Sequence, residues 1–218
     1  MINQVNIPTV YVVDDDPQVR ESLKLLMRSV GLRTEVFGSA ENFLEAYEDD
    51  DGPPRCLVLD VRMPGMSGLG LQEKLVAARI KIPIIMITGY GDVSMAVKAM
   101  GAGAVDFIEK PFSRQALLTR VQEAIDRDAS RRHRENQRSD ITERLATLSH
   151  REREVMELLI SGNHSKQIAA KLQIGEKTVA KHRARVFEKM RIDSVAGLVH
   201  LAYTSGLIAD IPADLNAS

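Results

Sequence analysis

Five short runs of apolar residues, rich in β-branched side chains, alternate with amphipathic stretches along the first 126 residues of the chain. The runs are TVYVV (9–13), RTEVF (33–37), CLVL (56–59), PIIMI (83–87) and AVDFI (104–108). Strands of this length between helical patterns are typical of a parallel sheet with helices on both faces. The sequence therefore predicts an α/β fold with a five-stranded, doubly wound parallel sheet.

From residue 147 onward the pattern is helical throughout. Ser149 and Glu152 have the spacing of a capping box, and the apolar stretch that follows them ends at Gly162. Further helices are predicted at 165–172, 176–190 and 194–205. A short helix, a tight turn and a basic helix are the outline of a helix-turn-helix. We predict a small all-α domain of four helices.

The stretch between these regions contains no Pro or Gly and many helix-forming residues. It is either a polar linker without regular structure or a continuation of the preceding helix, and the lack of helix breakers favours the helix. The predicted organisation is an α/β domain at 1–126, a helical linker at 127–146, a helix-turn-helix domain at 147–208 and a C-terminal tail at 209–218.

Charge is divided unevenly between the two halves, although the net charge of the chain is only −1. Residues 1–128 carry 14 basic and 19 acidic side chains, and residues 129–218 carry 15 and 11. Residues 177–191 alone contain six basic side chains and one acidic side chain. This asymmetry suggests a second domain that faces a polyanion, although a basic helix that is only solvated would have the same composition.

Composition also excludes several classes of protein. The one cysteine, Cys56, rules out an internal disulfide and a Cys-rich zinc module. Aromatic residues make up 4% of the chain and Trp is absent, which argues against an RNA-stacking platform. We see no signal peptide and no run of the ~18 apolar residues that a membrane span needs, and we expect a cytoplasmic protein without membrane contact.

Polar residues stand at the ends of four predicted strands, and these residues are Asp14, Asp15, Asp60, Thr88 and Lys110. The carboxyl ends of parallel strands meet at one edge of a sheet, so we expect these side chains to converge. Clustered carboxylates repel one another unless a cation joins them, and oxygen-only ligands favour Mg²⁺. Carboxylates, a hard cation, a lysine and a hydroxyl predict a site for a phosphoryl group. The alternative is a set of solvated loop residues.

The motifs VYVVDDDPQVR, CLVLDVRMPGMSG, PIIMITGYGD and VDFIEKPF, in this order, resemble those of the receiver domain of bacterial two-component response regulators. The resemblance implies a flavodoxin-like receiver fold in which Asp60 accepts a phosphoryl group from a sensor histidine kinase. It also implies that Asp15 and Asp60 bind Mg²⁺ directly, Asp14 mostly through water, and Arg62 through its carbonyl oxygen.

The same resemblance implies that Thr88 and Lys110 contact the phosphoryl oxygens and that Lys110 and Pro111 are joined by a cis peptide bond. Phe107 matches the switch aromatic, which turns inward when Thr88 moves toward the phosphoryl group; the alternative is an ordinary strand residue. Gly101 departs from the family pattern on the face used for dimerisation.

The stretch LSHREREVMELLISGNHSKQIAAKLQIGEKTVAKHRARVFEKM resembles the LuxR-type helix-turn-helix, over about residues 147–206. Together with the receiver motifs, this is similar to the NarL/FixJ class of response regulators, and closest to the FixJ branch. The resemblance implies that helix 176–190 enters the major groove. Its candidate DNA-binding residues are Lys177, Thr178, Lys181, His182, Arg183, Arg185 and Lys189. The opposite side of the helix, with Val179, Val186 and Met190, should pack inward.

Some positions depart from this second family pattern. Ala180 and Ala184 stand where many relatives carry basic residues, so the DNA specificity cannot be copied from them. Gln173 stands at the turn position of a glycine, which predicts a non-Gly residue with positive φ.

The predicted function is a phosphorylation-switched transcriptional regulator, not an enzyme. Its expected partners are a sensor histidine kinase, double-stranded DNA, a second copy of the chain after phosphorylation, and RNA polymerase as a further candidate. Helix 194–205, with Val195, Leu198, Val199 and Ala202 on one face, is expected to pair the DNA-binding domains.

Two other functions fit the sequence less well. A phosphatase of the haloacid-dehalogenase type needs an Asp-x-Asp pair, whereas Arg62 occupies the second position after Asp60. A receiver that sequesters a protein or RNA partner is the other alternative. The basic helix within a helix-turn-helix pattern favours duplex DNA.

Overall fold

The computed structural model describes residues 7–89 and 93–204, which divide into two units between His133 and Arg134. The first unit contains β1 (Thr9–Val13), α1 (Pro17–Ser29), β2 (Arg33–Phe37), α2 (Ala40–Ala46), β3 (Arg55–Asp60), α3 (Gly68–Ala77), β4 (Ile84–Thr88), α4 (Val93–Gly101), β5 (Asp106–Glu109) and the first part of α5 (Arg114–Ala146). Its five strands are all parallel, in the order β2-β1-β3-β4-β5. The predicted fold class is confirmed.

The sheet is covered on both faces, which explains why its central strands are apolar at successive positions. In β3, Leu57 and Leu59 pack in one core cluster, whereas Cys56 and Val58 pack in the other. Successive side chains of a strand point to opposite faces, so a strand covered on both sides must be apolar throughout. Every residue of β3 is buried, including Asp60 at its carboxyl end.

Helix α1 begins immediately beyond the carboxyl end of β1, and its start accounts for the third aspartate of the run. The Asp16 side chain accepts a hydrogen bond from Gln18 N at 2.8 Å, and Pro17 occupies the first helical position. Both features favour a helix start. Arg20, one turn further on, donates to the Asp14 carbonyl at 2.7 Å. Asp16 is therefore a helix cap.

Helix α5 includes the whole of the predicted linker, 127–146, which is therefore helical rather than irregular. A buried aspartate near the middle of α5 anchors this helix. Asp128 is fully buried and accepts hydrogen bonds from Arg55 N at 2.9 Å, Arg132 Nε at 2.6 Å and Arg131 Nη2 at 2.5 Å. Arg132 also donates to the Asp50 carbonyl at 2.7 Å. These bonds attach residues beyond 126 to the amino end of β3, and they lie within the first unit.

The second unit contains the end of α5, followed by α6 (His150–Ile160), α7 (Ser165–Leu172), α8 (Glu176–Met190) and α9 (Val195–Thr204). The capping box of Ser149 and Glu152 is present at the start of α6. Gln173 has φ 54° at the end of α7, as its place in the turn predicted. The end of the helix predicted at 194–205 and the predicted tail at 209–218 lie outside the described residues.

The core of the second unit is formed by the inward sides of its helices. Val179, Val186 and Met190 of α8 are fully buried in it, which confirms the side of α8 that was expected to face inward. Leu198 and Ala202 of α9 are also buried in this core. Two of the four side chains named for pairing, Leu198 and Ala202, therefore face the core of this unit, and pairing of the second domains through α9 stays a prediction.

No helix in the described part of the chain is long and apolar enough to cross a bilayer.

Candidate functional site

A lysine and two carboxylates meet at the carboxyl edge of the sheet. Lys110 Nζ lies 2.7 Å from Asp14 Oδ2 and 2.8 Å from Asp60 Oδ1. Asp14 and Asp60 are 1% and 5% exposed, so the contact is shielded from water on the carboxylate side. The edge therefore combines two buried negative charges with one cation that retains solvent access.

The register of the sheet brings these residues together. Asp14 follows β1, which pairs with β3, and Asp60 lies opposite Ile87 of β4. Thr88, the last residue of β4, is fully buried, and its carbonyl accepts a hydrogen bond from Lys110 N at 2.7 Å. Parallel strands that end at one level place their terminal side chains at one edge. The structure thus brings Asp14, Asp60, Thr88 and Lys110 to the same edge of the sheet.

The loop after β3 holds the Asp60 side chain and backbone in place. Arg62 N donates to Asp60 Oδ2 at 2.7 Å, and Gly68 N donates to the Val61 carbonyl at 3.0 Å. Gly68 packs so closely that a Cβ atom there would overlap the Asp60 carbonyl oxygen. Gly68 is not among the predicted site residues, although a glycine that opens a helix eight residues after Asp60 is a signal for close backbone approach.

Burial and the contacts between Lys110 and the carboxylates have opposite effects on the pKa values of Asp60 and Lys110. Burial raises the pKa of Asp60 above its ordinary value, and the neighbouring Asp14 charge adds to this, while Lys110 lowers it. Burial lowers the pKa of Lys110, but its bonds to Asp14 and Asp60 outweigh that effect and its pKa is raised overall. Asp60 is thus harder to ionise than a solvated aspartate, and Lys110 is held as a cation.

The side chains at this edge of the sheet offer oxygen ligands to a metal cation. The carboxylates of Asp14 and Asp60 are directed to the shared Lys110 Nζ, Asp15 is exposed beside them, and Arg62 is exposed beyond Asp60. Within residues 7–89 and 93–204, no three acidic, His or Cys side chains are grouped closely enough to form a metal site. Carboxylate and carbonyl oxygens are the donors that suit a hard divalent ion, so the residue types fit Mg²⁺.

Phe107 lies in β5 opposite Met86 of β4. Its ring is partly buried and packs against the core cluster on the side of the sheet that contains Ala99 of α4 and Leu71 of α3. Gly101 ends α4, and a Cβ atom there would meet open space. The position of Phe107 is compatible with either of the two roles that the sequence left open.

The residues predicted to bind DNA divide into two groups on α8. Lys177, Thr178, Lys181 and Arg185 are exposed, whereas His182, Arg183 and Lys189 are partly buried. Four exposed positions with three cations form the side of α8 that is available to a polyanion. Both alanines that depart from the family pattern, Ala180 and Ala184, are exposed as well.

Two of the three partly buried residues, Lys189 and Arg183, make specific contacts inside the second unit. Lys189 Nζ lies 2.6 Å from Glu152 Oε2 and 2.9 Å from the Thr147 carbonyl. The guanidinium of Arg183 lies over the Phe187 ring, 5.1 Å from its centroid. His182 Nδ1 is buried and has no hydrogen-bond partner among the residues that the structure describes. The sequence predicts only a capping role for Glu152, and its contact with Lys189 has no local sequence signal.

Comparison with known proteins gives a consistent result for both units. Residues 10–122 match the family model described as a response regulator receiver domain, and residues 146–202 match the model for bacterial regulatory proteins of the luxR family. Nodulation protein W from Bradyrhizobium diazoefficiens is 46% identical over 201 residues, which cover 92% of this chain and 88% of that protein. Transcriptional regulatory protein FixJ from Azorhizobium caulinodans is 44% identical over 205 residues, with coverages of 94% and 95%.

Solved structures give the same relationship. A low-resolution structure of the response regulator StyR has a TM-score of 0.85 and 45% sequence identity, and the match covers 90% of this chain and 98% of that one. A full-length FixJ structure from B. japonicum has a TM-score of 0.55 and 40% identity, with coverages of 92% and 98%.

Proposed function

The chain belongs to the two-component response regulators that join a receiver domain to a LuxR-type DNA-binding domain, and we propose that phosphorylation of Asp60 controls its activity as a transcriptional regulator. One observation carries this proposal: Lys110 Nζ binds Asp60 Oδ1 and Asp14 Oδ2 at the carboxyl edge of the sheet. A buried carboxylate beside a fixed cation suits the acceptance of a phosphoryl group.

The proposed reaction takes a phosphoryl group from a phosphohistidine of a sensor kinase. A carboxylate oxygen of Asp60 attacks phosphorus, a P–O bond forms, and the P–N bond to the histidine breaks. The leaving imidazole takes up a proton from water, and Asp60 becomes an acyl phosphate. Lys110 has three N–H donors, of which two are directed to Asp14 and Asp60, so the third can bind a phosphoryl oxygen. Thr88 supplies a hydroxyl at the same edge.

We propose that Asp14, Asp15, Asp60 and the Arg62 carbonyl hold Mg²⁺ at this edge. When bound, the ion neutralises negative charge on the phosphoryl oxygens. The chain's own contribution is to hold the donors, since Arg62 N fixes Asp60 Oδ2 and Asp16 N fixes Asp14 Oδ1 at 2.9 Å. These backbone hydrogen bonds set the orientation of both carboxylates.

Phosphorylation is proposed to act through Thr88 and Phe107 on the surface of α4, which would pair two copies of the chain. Val93, Val97 and Met100 of this helix are 79%, 65% and 46% exposed. Three large, exposed apolar side chains on one short helix form an apolar patch that is typical of an interface. A second copy of the chain would cover this patch.

The proposed DNA interface is the exposed side of α8, with Lys177, Thr178, Lys181 and Arg185. A basic recognition helix in a helix-turn-helix supports binding in the major groove of duplex DNA.

We further propose that the protein acts in the cytoplasm, with RNA polymerase as a partner at its promoters, and that it does not turn over a substrate.

Labelling with radioactive acetyl phosphate and Mg²⁺ tests the phosphorylation site. The variant Asp60→Asn should abolish labelling, because the amide cannot attack phosphorus, whereas Asp126→Asn, at an exposed position of α5, should be labelled like the native chain. Full labelling of Asp60→Asn would show that another residue accepts the phosphoryl group.

A further inference from the structure

A buried glutamate connects the recognition helix to the first helix of the second unit. Glu152 is 2% exposed, and its Oε2 atom accepts hydrogen bonds from Ser149 N at 2.9 Å and from Lys189 Nζ at 2.6 Å. Its Oε1 atom lies 4.0 Å from Arg185 Nη1. One carboxylate thus faces two cations of α8 while it also caps α6.

The two cations are placed differently although they are one helical turn apart. Lys189 also donates to the Thr147 carbonyl at 2.9 Å, so its ammonium is held by two acceptors inside the unit. The Arg185 side chain is 51% exposed, and within the described part of the chain its one ion pair is the longer contact with Glu152. Its planar guanidinium has donors left for a phosphate, which it can bind through two parallel hydrogen bonds.

If Lys189 moved to a DNA phosphate, the buried Glu152 carboxylate would lose its closest cation. Removing the close cation from a buried carboxylate is costly, so the ion pair retains Lys189. In agreement with this, the hydrogen bond from Lys189, together with that from Ser149 N, lowers the pKa of Glu152 to about 2.

We propose that Glu152 is a positioning residue for DNA binding, which withholds Lys189 from the duplex and leaves Arg185 to bind a phosphate on that side of α8. This inference rests on the proposed DNA-binding function. It removes Lys189 from the set of DNA contacts expected from the sequence and assigns to Glu152 a role beyond helix capping.

The salt dependence of binding distinguishes a phosphate contact from a positioning role, because each contact adds about −0.9 to the slope of log K against log salt. The probe is a duplex selected by the native full-length chain from a random-sequence pool. Lys189→Met should leave the slope unchanged, whereas Arg185→Met should make it shallower by about 0.9. Glu152→Gln should make the slope steeper by up to about 0.9, because Lys189 is released toward the DNA.

The double variant Glu152→Gln with Lys189→Met should restore the native slope. It also removes both charges together, so it provides a test if Lys189→Met alone does not fold. A shallower slope for Lys189→Met, or for the double variant relative to the native chain, would overturn the inference, and so would an unchanged slope for Glu152→Gln. Failure of the native chain to select any duplex would instead refute the proposed DNA-binding function.

Discussion

Lys110 Nζ lies 2.8 Å from Asp60 Oδ1, and the two residues are fifty positions apart in the chain. The contact joins the end of β3 to the residue that follows β5, although β4 lies between these strands in the sheet. Lys110 lowers the pKa of Asp60 against the larger, opposite effect of burial. The protonation of the proposed acceptor therefore depends on a residue that only the fold brings close.

Replacing Lys110 with Met should shift the pH dependence of phosphorylation. Attack on phosphorus requires the Asp60 carboxylate, so labelling falls as the pH drops through the pKa of Asp60. That pKa lies above the ordinary value in the native chain, and loss of the Lys110 charge raises it further. The acid limb of the rate profile should move to higher pH in Lys110→Met but not in Lys98→Met, at an exposed position of α4. An unmoved limb would contradict the assigned role of Lys110.

The substitution Gly68→Ala should slow phosphorylation and destabilise the receiver. The added Cβ overlaps the Asp60 carbonyl oxygen, so the backbone of β3 or α3 must shift, and overpacking of this kind costs about 1–3 kcal/mol. In Gly101→Ala the Cβ meets open space at the end of α4, and we expect a stability gain of up to about 1 kcal/mol. Urea denaturation and acetyl phosphate labelling measure the two effects. Native labelling of Gly68→Ala would contradict the close packing described at Asp60.

The substitution Asp128→Ala should destabilise the first unit by about 1–3 kcal/mol, because it leaves the buried Arg55 N–H without an acceptor. Arg131 and Arg132 lose their shared partner in the same variant. Asp126→Ala, at an exposed position two residues earlier, is the matched control and should change stability little. Equal denaturation midpoints for the two variants would argue against the buried anchor.

The substitution Gln173→Gly should stabilise the second unit. Gln173 has φ 54°, and a left-handed backbone costs a non-Gly residue about 1–2 kcal/mol. Glycine removes that cost but loses more entropy on folding, so we expect a net gain of about 1 kcal/mol. Ala170→Gly, within the regular part of α7, should have the opposite effect. Thermal denaturation of both variants measures the difference, and a lower midpoint for Gln173→Gly would count against the assigned strain.

The substitution Lys181→Ala should weaken duplex binding, because its cation lies on the exposed side of α8. A base contact would cost about 1–3 kcal/mol and relax the sequence preference, whereas a phosphate contact would weaken all sequences alike. Binding to selected and scrambled duplexes separates these two cases. The exposed Lys171 on α7 provides a matched Lys→Ala control. Unchanged affinity for both duplexes would mean that the DNA-binding side of α8 is misassigned.

Local spacing in the sequence was enough to predict the elements and the edge at which the site lies. The apolar runs of β1 and β3 predict buried strands, and the positions of Asp14, Asp60, Thr88 and Lys110 at strand ends predict their convergence. The spacing of Val179, Val186 and Met190 predicts the buried side of α8. These inferences succeed because strand and helix periodicities are fixed by backbone geometry and involve neighbours within a few residues.

Tertiary structure alone decided which partners the charged side chains find. Asp128 binds the backbone N–H of Arg55, 73 residues away, and Lys189 binds Glu152, 37 residues away. In the sequence, Asp128 resembles other polar residues of a long helix, and Lys189 resembles the cations beside it. A lysine on a basic helix can face solvent, DNA or a carboxylate, and the choice depends on the packing of α6 against α8. Periodicity specifies the side of a helix, but the atoms that meet that side belong to distant segments of the chain.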